Sequence, residues 1–361
     1  MRRLPLVCCL LLAPLVSVGE QNFQSILDEM RVEQDVPGLS AVVIHDNKVI
    51  FAGGSGLADI KTRRPATEDT VYYIGSITKV LTTILTLHLV EQSELDLDDP
   101  VAGIGVASDA VTIKHLLTHT AGLEREGNFD YWFTANFPDN EALSAYLAQT
   151  TLRSTPGSEL HYSNVGFAAL GQYVSSVTGL SYDAALRKFV LEPLQMNASG
   201  SPGPAPDVAQ AYSPTGRLVP NDARPFAGVG ESVGGRHLRM YHDAKAMTPA
   251  FGVYSTARDL GRLASFLLGN GSDNVLSIGA RNSMRQRQAT GRGLGIGLER
   301  KNNRLLMTHG GWFAAYRSQM LIDTTNDIAV VVLTNSDSAT SRRIADALHR
   351  AALNGNNKDT A

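Results

Sequence analysis

Residues 71–92 read VYYIGSITKVLTTILTLHLVEQ. Ser76 stands three residues before Lys79, and behind them Val80, Ile84, Leu87 and Leu89 recur at helical spacing. Gly75 and Ser76 come just ahead of that pattern, where a helix starts. Positions i and i+3 share a helix face, so the Ser76 hydroxyl and the Lys79 amine can meet in the first turn. A serine is a poor nucleophile until a base takes its proton, and a lysine can be that base if burial lowers its pKa. A helix N-terminus adds partial positive charge and free N–H groups that can face an oxyanion. Taken alone, S-x-x-K arises often by chance, and an exposed serine beside a solvated lysine satisfies it equally well.

Upstream, residues 21–35 place Phe23, Ile26, Leu27 and Met30 on one helical face, and Pro37-Gly38 end it. Two β-branched runs, 39–44 and 48–52, flank Asp46-Asn47 and read as a hairpin, with Gly53, Gly54 and Gly56 as a bulge or exit. Downstream, helical patterns fill 77 to about 200. Residues 200–250 are rich in Pro and Gly, lack periodicity, and read as a long irregular loop, functional or mobile. A helix resumes at 255–268. Residues 293–298, 304–308, 318–323 and 328–334 then read as strands, and 341–353 as a closing helix. Strands at both ends with helices between predict an α/β fold. One sheet lobe is discontinuous (22–66 and 251–355), and a mainly helical lobe (67–250) is inserted into it. Ser76 falls where the insertion meets the sheet, a common place for a cleft.

The chain of 361 residues is 43% hydrophobic and 19% charged, enough for a sizeable core in an ordinary globular balance. No Lys/Arg run or basic-aromatic stripe points to nucleic acid. Arg2 and Arg3 precede an apolar run, Leu4 to Val16, followed by Ser17 and Gly19, the pattern of a secretory signal peptide over 1–19. The run is too short to span a bilayer, so no membrane anchor is expected after cleavage. Cleavage after Gly19 removes both cysteines, Cys8 and Cys9, leaving no disulfide or thiol site. It also removes Arg2 and Arg3, taking 32 Lys and Arg to 30 against 35 Asp and Glu, and the formal charge from −3 to −5. The expected location is secreted or periplasmic.

Two further stretches bear on Ser76. In His161-Tyr162-Ser163-Asn164, Tyr162 and Asn164 are two apart on a short loop and can point into one cleft. A tyrosine beside a lysine can relay a proton, and an asparagine offers both donor and acceptor. In Thr308-His309-Gly310-Gly311-Trp312, the glycines let a ligand or another backbone approach closely. The competing readings are a buried tyrosine with a helix-capping asparagine, and a tight turn carrying a surface histidine.

S-x-x-K, Y-x-N and H-x-G in this order resemble the serine β-lactamase and penicillin-binding-protein superfamily. The nearest branch is the class C-like one, with its esterases and D-amino-acid peptidases. Connecting text resembles it too, including Thr112 to Leu123 (TIKHLLTHTAGL) and Tyr254 to Leu260 (YSTARDL), and the likeness runs from about residue 24 to 350. The resemblance implies an antiparallel sheet flanked by helices. It implies Ser76 as the acylated nucleophile and Lys79 and Tyr162 as the shared proton machinery. Asn164, His309, Gly310, Gly311 and Trp312 become substrate-binding residues, with the Ser76 and Trp312 N–H groups as oxyanion hole. It implies no cofactor or metal and a small-molecule or peptide substrate, and leaves the oligomeric state open. His115 and His119 are four apart, but no H-E-x-x-H surrounds them.

One position departs from the family pattern. His309 stands where β-lactamases usually carry a lysine that helps hold the β-lactam carboxylate. The expectation is therefore an ester or peptide hydrolase that is slow on β-lactams, with β-lactam turnover helped by acid as His309 gains charge. A β-lactamase, and a penicillin-binding sensor that acylates without turnover, are the alternatives.

Overall fold

The computed structural model describes residues 18–92, 96–101, 106, 109–201, 207–214, 229–239, 243–271, 274–288, 291–301 and 303–356. The leader, with Cys8 and Cys9, lies almost wholly outside them. Helix α1 spans Val18–Glu33. Strands β1 (Gly38–His45), β2 (Lys48–Asp59) and β3 (Arg64–Pro65) then join β4 (Gly297–Lys301), β5 (Arg304–Phe313), β6 (Tyr316–Asp323) and β7 (Ile328–Thr334). They form one antiparallel sheet in the order β3-β2-β1-β7-β6-β5-β4. The two ends of the chain meet at its centre, where β1 pairs with β7 from Leu39↔Thr334 to His45↔Ile328.

Alternation along these central strands sorts the core into two. Leu39, Ala41, Val43, Val330 and Val332 pack under α1 and α6 (Ser341–Asn356). Val42, Ile44, Val331 and Leu333 face the other core, which includes Leu260 and Leu263 of α5 (Ala257–Leu268). Both faces are covered, so β7 (IAVVVLT) is buried throughout and reads as one apolar run.

The helical part centres on α2 (Thr78–Gln92), packed against α3 (Asn164–Thr178) and α4 (Thr248–Phe251). The sequence suggested an apolar face on α2, but every residue from Thr78 to Leu89 is buried. The polar members are satisfied inside: Thr83 and Thr86 hydroxyls donate to the carbonyls of Lys79 and Thr82, and Thr82 donates to Pro249.

Four local readings change. The run Gly53-Gly54-Gly56 is no exit, because β2 continues to Asp59. A Cβ at Gly54 would meet the Ala66 carbonyl oxygen at 2.2 Å, so glycine there serves close backbone approach. Residues 293–296 form a loop and β4 begins at Gly297. The 200–250 stretch carries a three-stranded sheet, Ala211–Pro214, Val229–Val233 and Arg236–Arg239, with 236–239 in the middle. Gly234-Gly235, both at positive φ, turn its hairpin, a signal that was present in the sequence. Finally, His309–Trp312 lie inside β5 rather than at a turn; the turn is Ala314-Ala315, also at positive φ.

Candidate active site

Residues Gly75–Ile77 form a 3₁₀ turn and α2 starts at Thr78, so Ser76 sits just before the helix. Lys79 Nζ lies 3.3 Å from Ser76 Oγ and Tyr162 Oη donates to the same oxygen at 3.0 Å. Lys79 is fully buried. Its remaining hydrogens go to Asn164 Oδ1 at 2.7 Å and the Ala250 carbonyl at 2.8 Å, so every donor of the ammonium is used. Burial lowers its pKa, against the opposing pull of Tyr162 and Glu126. In the neutral form that burial favours, a lysine held this way can accept a proton from a hydroxyl 3.3 Å away. Asn164 itself opens α3 behind the capping Ser163, whose Oγ accepts from Gly166 N at 2.9 Å.

Strand β5 is pressed against the Ser76 turn, backbone to backbone. Ser318 Oγ donates to the Ile74 carbonyl at 2.7 Å, and a Cβ on Gly311 would stand 2.0 Å from that carbonyl oxygen. Gly75 has φ +52, and a Cβ there would lie 2.4 Å from Trp312 N. The absence of both side chains is what lets the Trp312 backbone lie beside Ser76. Pairing of β4 with β5 stops at Gly297↔Thr308, so β5 from His309 on has no partner strand on that side among the described residues. An extended substrate can add to such an edge.

Ser76, Tyr162, Asn164 and His309 through Trp312 line one cleft of about 850 Å³. Trp132, Phe251 and Trp312 give it an aromatic wall, with Trp132 ring centroids 5.1 Å from both others. Trp312 is held by its Nε1–H donating to Asp337 at 2.9 Å.

Two sequence readings change here. Asn164 is nearly buried and both ends of its amide are committed: Oδ1 accepts from Lys79, and Nδ2 donates to Glu126 at 2.9 Å. It serves the interior first, whatever it offers a substrate. His309 is buried, its Nδ1–H donates to the Gly310 carbonyl at 2.8 Å, and Nε2 has no partner among the described residues. Burial, with Lys79 and Arg292 nearby, pushes its pKa to about 3. Acidification therefore does not charge His309 in any ordinary working range, contrary to the sequence expectation.

Of the arginines in the cleft, Arg125, Arg317 and Arg342 are paired with Glu126, Asp337 and Glu299, and Arg292 stands apart from them. It lines the cleft, it lies close enough to depress both His309 and His119, and no carboxylate pairs with it among the described residues. Nothing in the local sequence marks it. His119 stacks on the Tyr162 ring, centroids 4.3 Å apart, and accepts from Ser163 N, while His115 caps a short helix through Thr112 N.

Comparison with known proteins follows the same lines. The β-lactamase family model matches residues 23–354. Esterase EstB of Burkholderia gladioli is 27% identical, over 87% of this chain and 90% of its own. The D-amino acid amidase of Ochrobactrum anthropi SV3, solved with D-phenylalanine, superposes with a TM-score of 0.78 at 22% identity, covering 94% of this chain and all of its own. A class C β-lactamase from Rhodobacter sphaeroides superposes with a TM-score of 0.74 at 20% identity, covering 92% and 98%. With the family model spanning nearly all of the described chain, this protein belongs to the β-lactamase family of serine hydrolases.

Proposed function

We propose that the protein cleaves ester or amide bonds through an acyl-enzyme on Ser76, as a carboxylesterase or D-amino-acid peptidase does. The observation that carries this is the double contact on Ser76 Oγ, from Tyr162 Oη at 3.0 Å and Lys79 Nζ at 3.3 Å, at the cleft floor. Lys79, as the neutral amine that burial favours, takes the hydroxyl proton as Ser76 attacks the carbonyl carbon, and the Tyr162 hydroxyl lies between that ammonium and the leaving group. The same groups return it to the leaving alcohol or amine, and water then releases the acyl group. The Ser76 and Trp312 N–H groups are the oxyanion donors of this scheme. The aromatic wall suits an apolar or aromatic acyl part. The leader pattern supports export with cleavage after Gly19, and N-terminal sequencing of exported protein should begin at Glu20.

Arg292 favours a second reading within this chemistry. A guanidinium without a carboxylate partner can hold a substrate carboxylate, which a D-peptide C-terminus or a β-lactam presents. It restores the permanent cation that His309 lacks, so the histidine alone does not disfavour β-lactams. The test is a panel of p-nitrophenyl esters, D-alanyl peptides and a chromogenic cephalosporin on wild type and Arg292→Gln. A charged hydrogen bond contributes roughly 1.5–3 kcal/mol, so kcat/KM for carboxylate-bearing substrates should fall about ten- to a hundredfold while neutral esters hold. Equal losses on both classes would refute the carboxylate role. A panel in which nothing but the cephalosporin turns over would make the protein a β-lactamase.

A further inference from the structure

We propose that Glu126 is a positioning residue for the proton machinery: through the Asn164 amide it supplies the countercharge of buried Lys79 and fixes which way that amide points. The inference rests on the reading of Lys79 as proton acceptor for Ser76.

The chain of contacts is continuous. Lys79 Nζ donates to Asn164 Oδ1 at 2.7 Å, and Asn164 Nδ2 donates to both oxygens of Glu126 at 2.9 Å. The carboxylate also accepts from the buried Tyr131 hydroxyl and pairs with Arg125 Nε at 3.2 Å. Polarity permits one arrangement only. A lysine ammonium has no acceptor and a carboxylate, in either state of the lysine, has no donor, so the amide nitrogen must face Glu126 and the oxygen Lys79. A flipped amide would set its N–H groups against the ammonium and leave Lys79 short of an acceptor, at a position wholly removed from water. Glu126 is therefore what locks Asn164 in the productive sense.

The charged and titratable groups around Lys79 are Tyr162, Glu126, Arg125, His119 and His309, with Arg292 across the cleft. Both histidines are held neutral by burial and the two arginines are cations. Glu126 is the one carboxylate in this set. It opposes the fall in the Lys79 pKa that burial causes. Removing its charge must move that pKa further down, and the acid limb of kcat/KM, which reports the free enzyme's base, must move with it.

The test compares wild type, Glu126→Gln, Glu126→Asp and the swap Glu126→Gln/Asn164→Asp, with p-nitrophenyl acetate as substrate. The acid limb of Glu126→Gln should shift to lower pH by about half a unit or more, with a plateau roughly tenfold lower. Glu126→Asp keeps the charge and should keep the limb near wild type. The swap places a carboxylate directly on Lys79 and should move the limb above wild type; it also decides the matter if Glu126→Gln does not fold. Limbs of the Gln variant and the swap that superimpose on wild type overturn the inference. So does a Gln variant changed only in KM for amine-bearing substrates, which would make Glu126 a substrate contact. Fluorophosphonate labelling of the same samples separates the two failures. Wild type that stays unlabelled sinks the acyl-enzyme reading, whereas labelled protein with an unmoved limb sinks this inference alone.

Discussion

Ser76→Ala should lose at least about 10⁴-fold in kcat while folding normally, because removing a serine nucleophile costs losses of this order. The hydroxyl forms no part of the core. Its neighbours are Tyr162 Oη and Lys79 Nζ, both of which keep other supports, Lys79 in Asn164 and Ala250 and Tyr162 in the His119 stack. The melting temperature should therefore stay close to wild type. Intact-mass spectrometry after a fluorophosphonate should show one adduct on wild type and none on the variant. Equal labelling of the two, or a variant retaining a tenth of wild-type turnover, would move the nucleophile elsewhere.

The second large effect concerns Lys79 and Tyr162 together. Both contact one oxygen, and the Lys79 ammonium lies 4.9 Å from the Tyr162 ring centroid, so the proton of either is felt by the other. Lys79→Ala should cost at least about 10³-fold, since it removes one of the two groups that contact Ser76 Oγ and empties a fully buried site. Tyr162→Phe should cost about as much. The double variant should be little worse than the poorer single, as happens when residues act as a unit. Losses that multiply would mean two independent roles. The pH profile of wild type belongs to the pair and should not be assigned to one of them.

Several parts of this arrangement were legible in the sequence for identifiable reasons. Ser76 and Lys79 declare themselves because their spacing is a property of one helical turn. The central strands declare themselves because β1 and β7 are covered on both faces and read as apolar runs. Other parts were hidden because the partner lies far away in the chain. Nothing around Glu126 says that it faces Asn164, and nothing around Arg292 says that its loop folds over the cleft. The extent of β5 is hidden for a different reason. Glycines usually mark turns, yet here Gly311 is small because Ile74 crosses it, while the turn falls on Ala314-Ala315, residues that rarely take positive φ. His309 reads as a cleft group that acid would charge because the sequence does not show depth, and depth is what keeps it neutral.

Because β1 pairs with β7 across nearly the whole chain, the molecule has a consequence for its own synthesis. A nascent chain carries Ser76 and Lys79 early, yet the backbone that lies beside them, Trp312 on β5, comes off the ribosome near the end. Until β7 follows, β1 has one edge open, and closing a loop that long is entropically slow. The helical part can collapse first, but the cleft has only one wall. On the proposed reading, a chain that stops before residue 304 carries Ser76 and Lys79 without the Trp312 backbone that would complete the oxyanion pair.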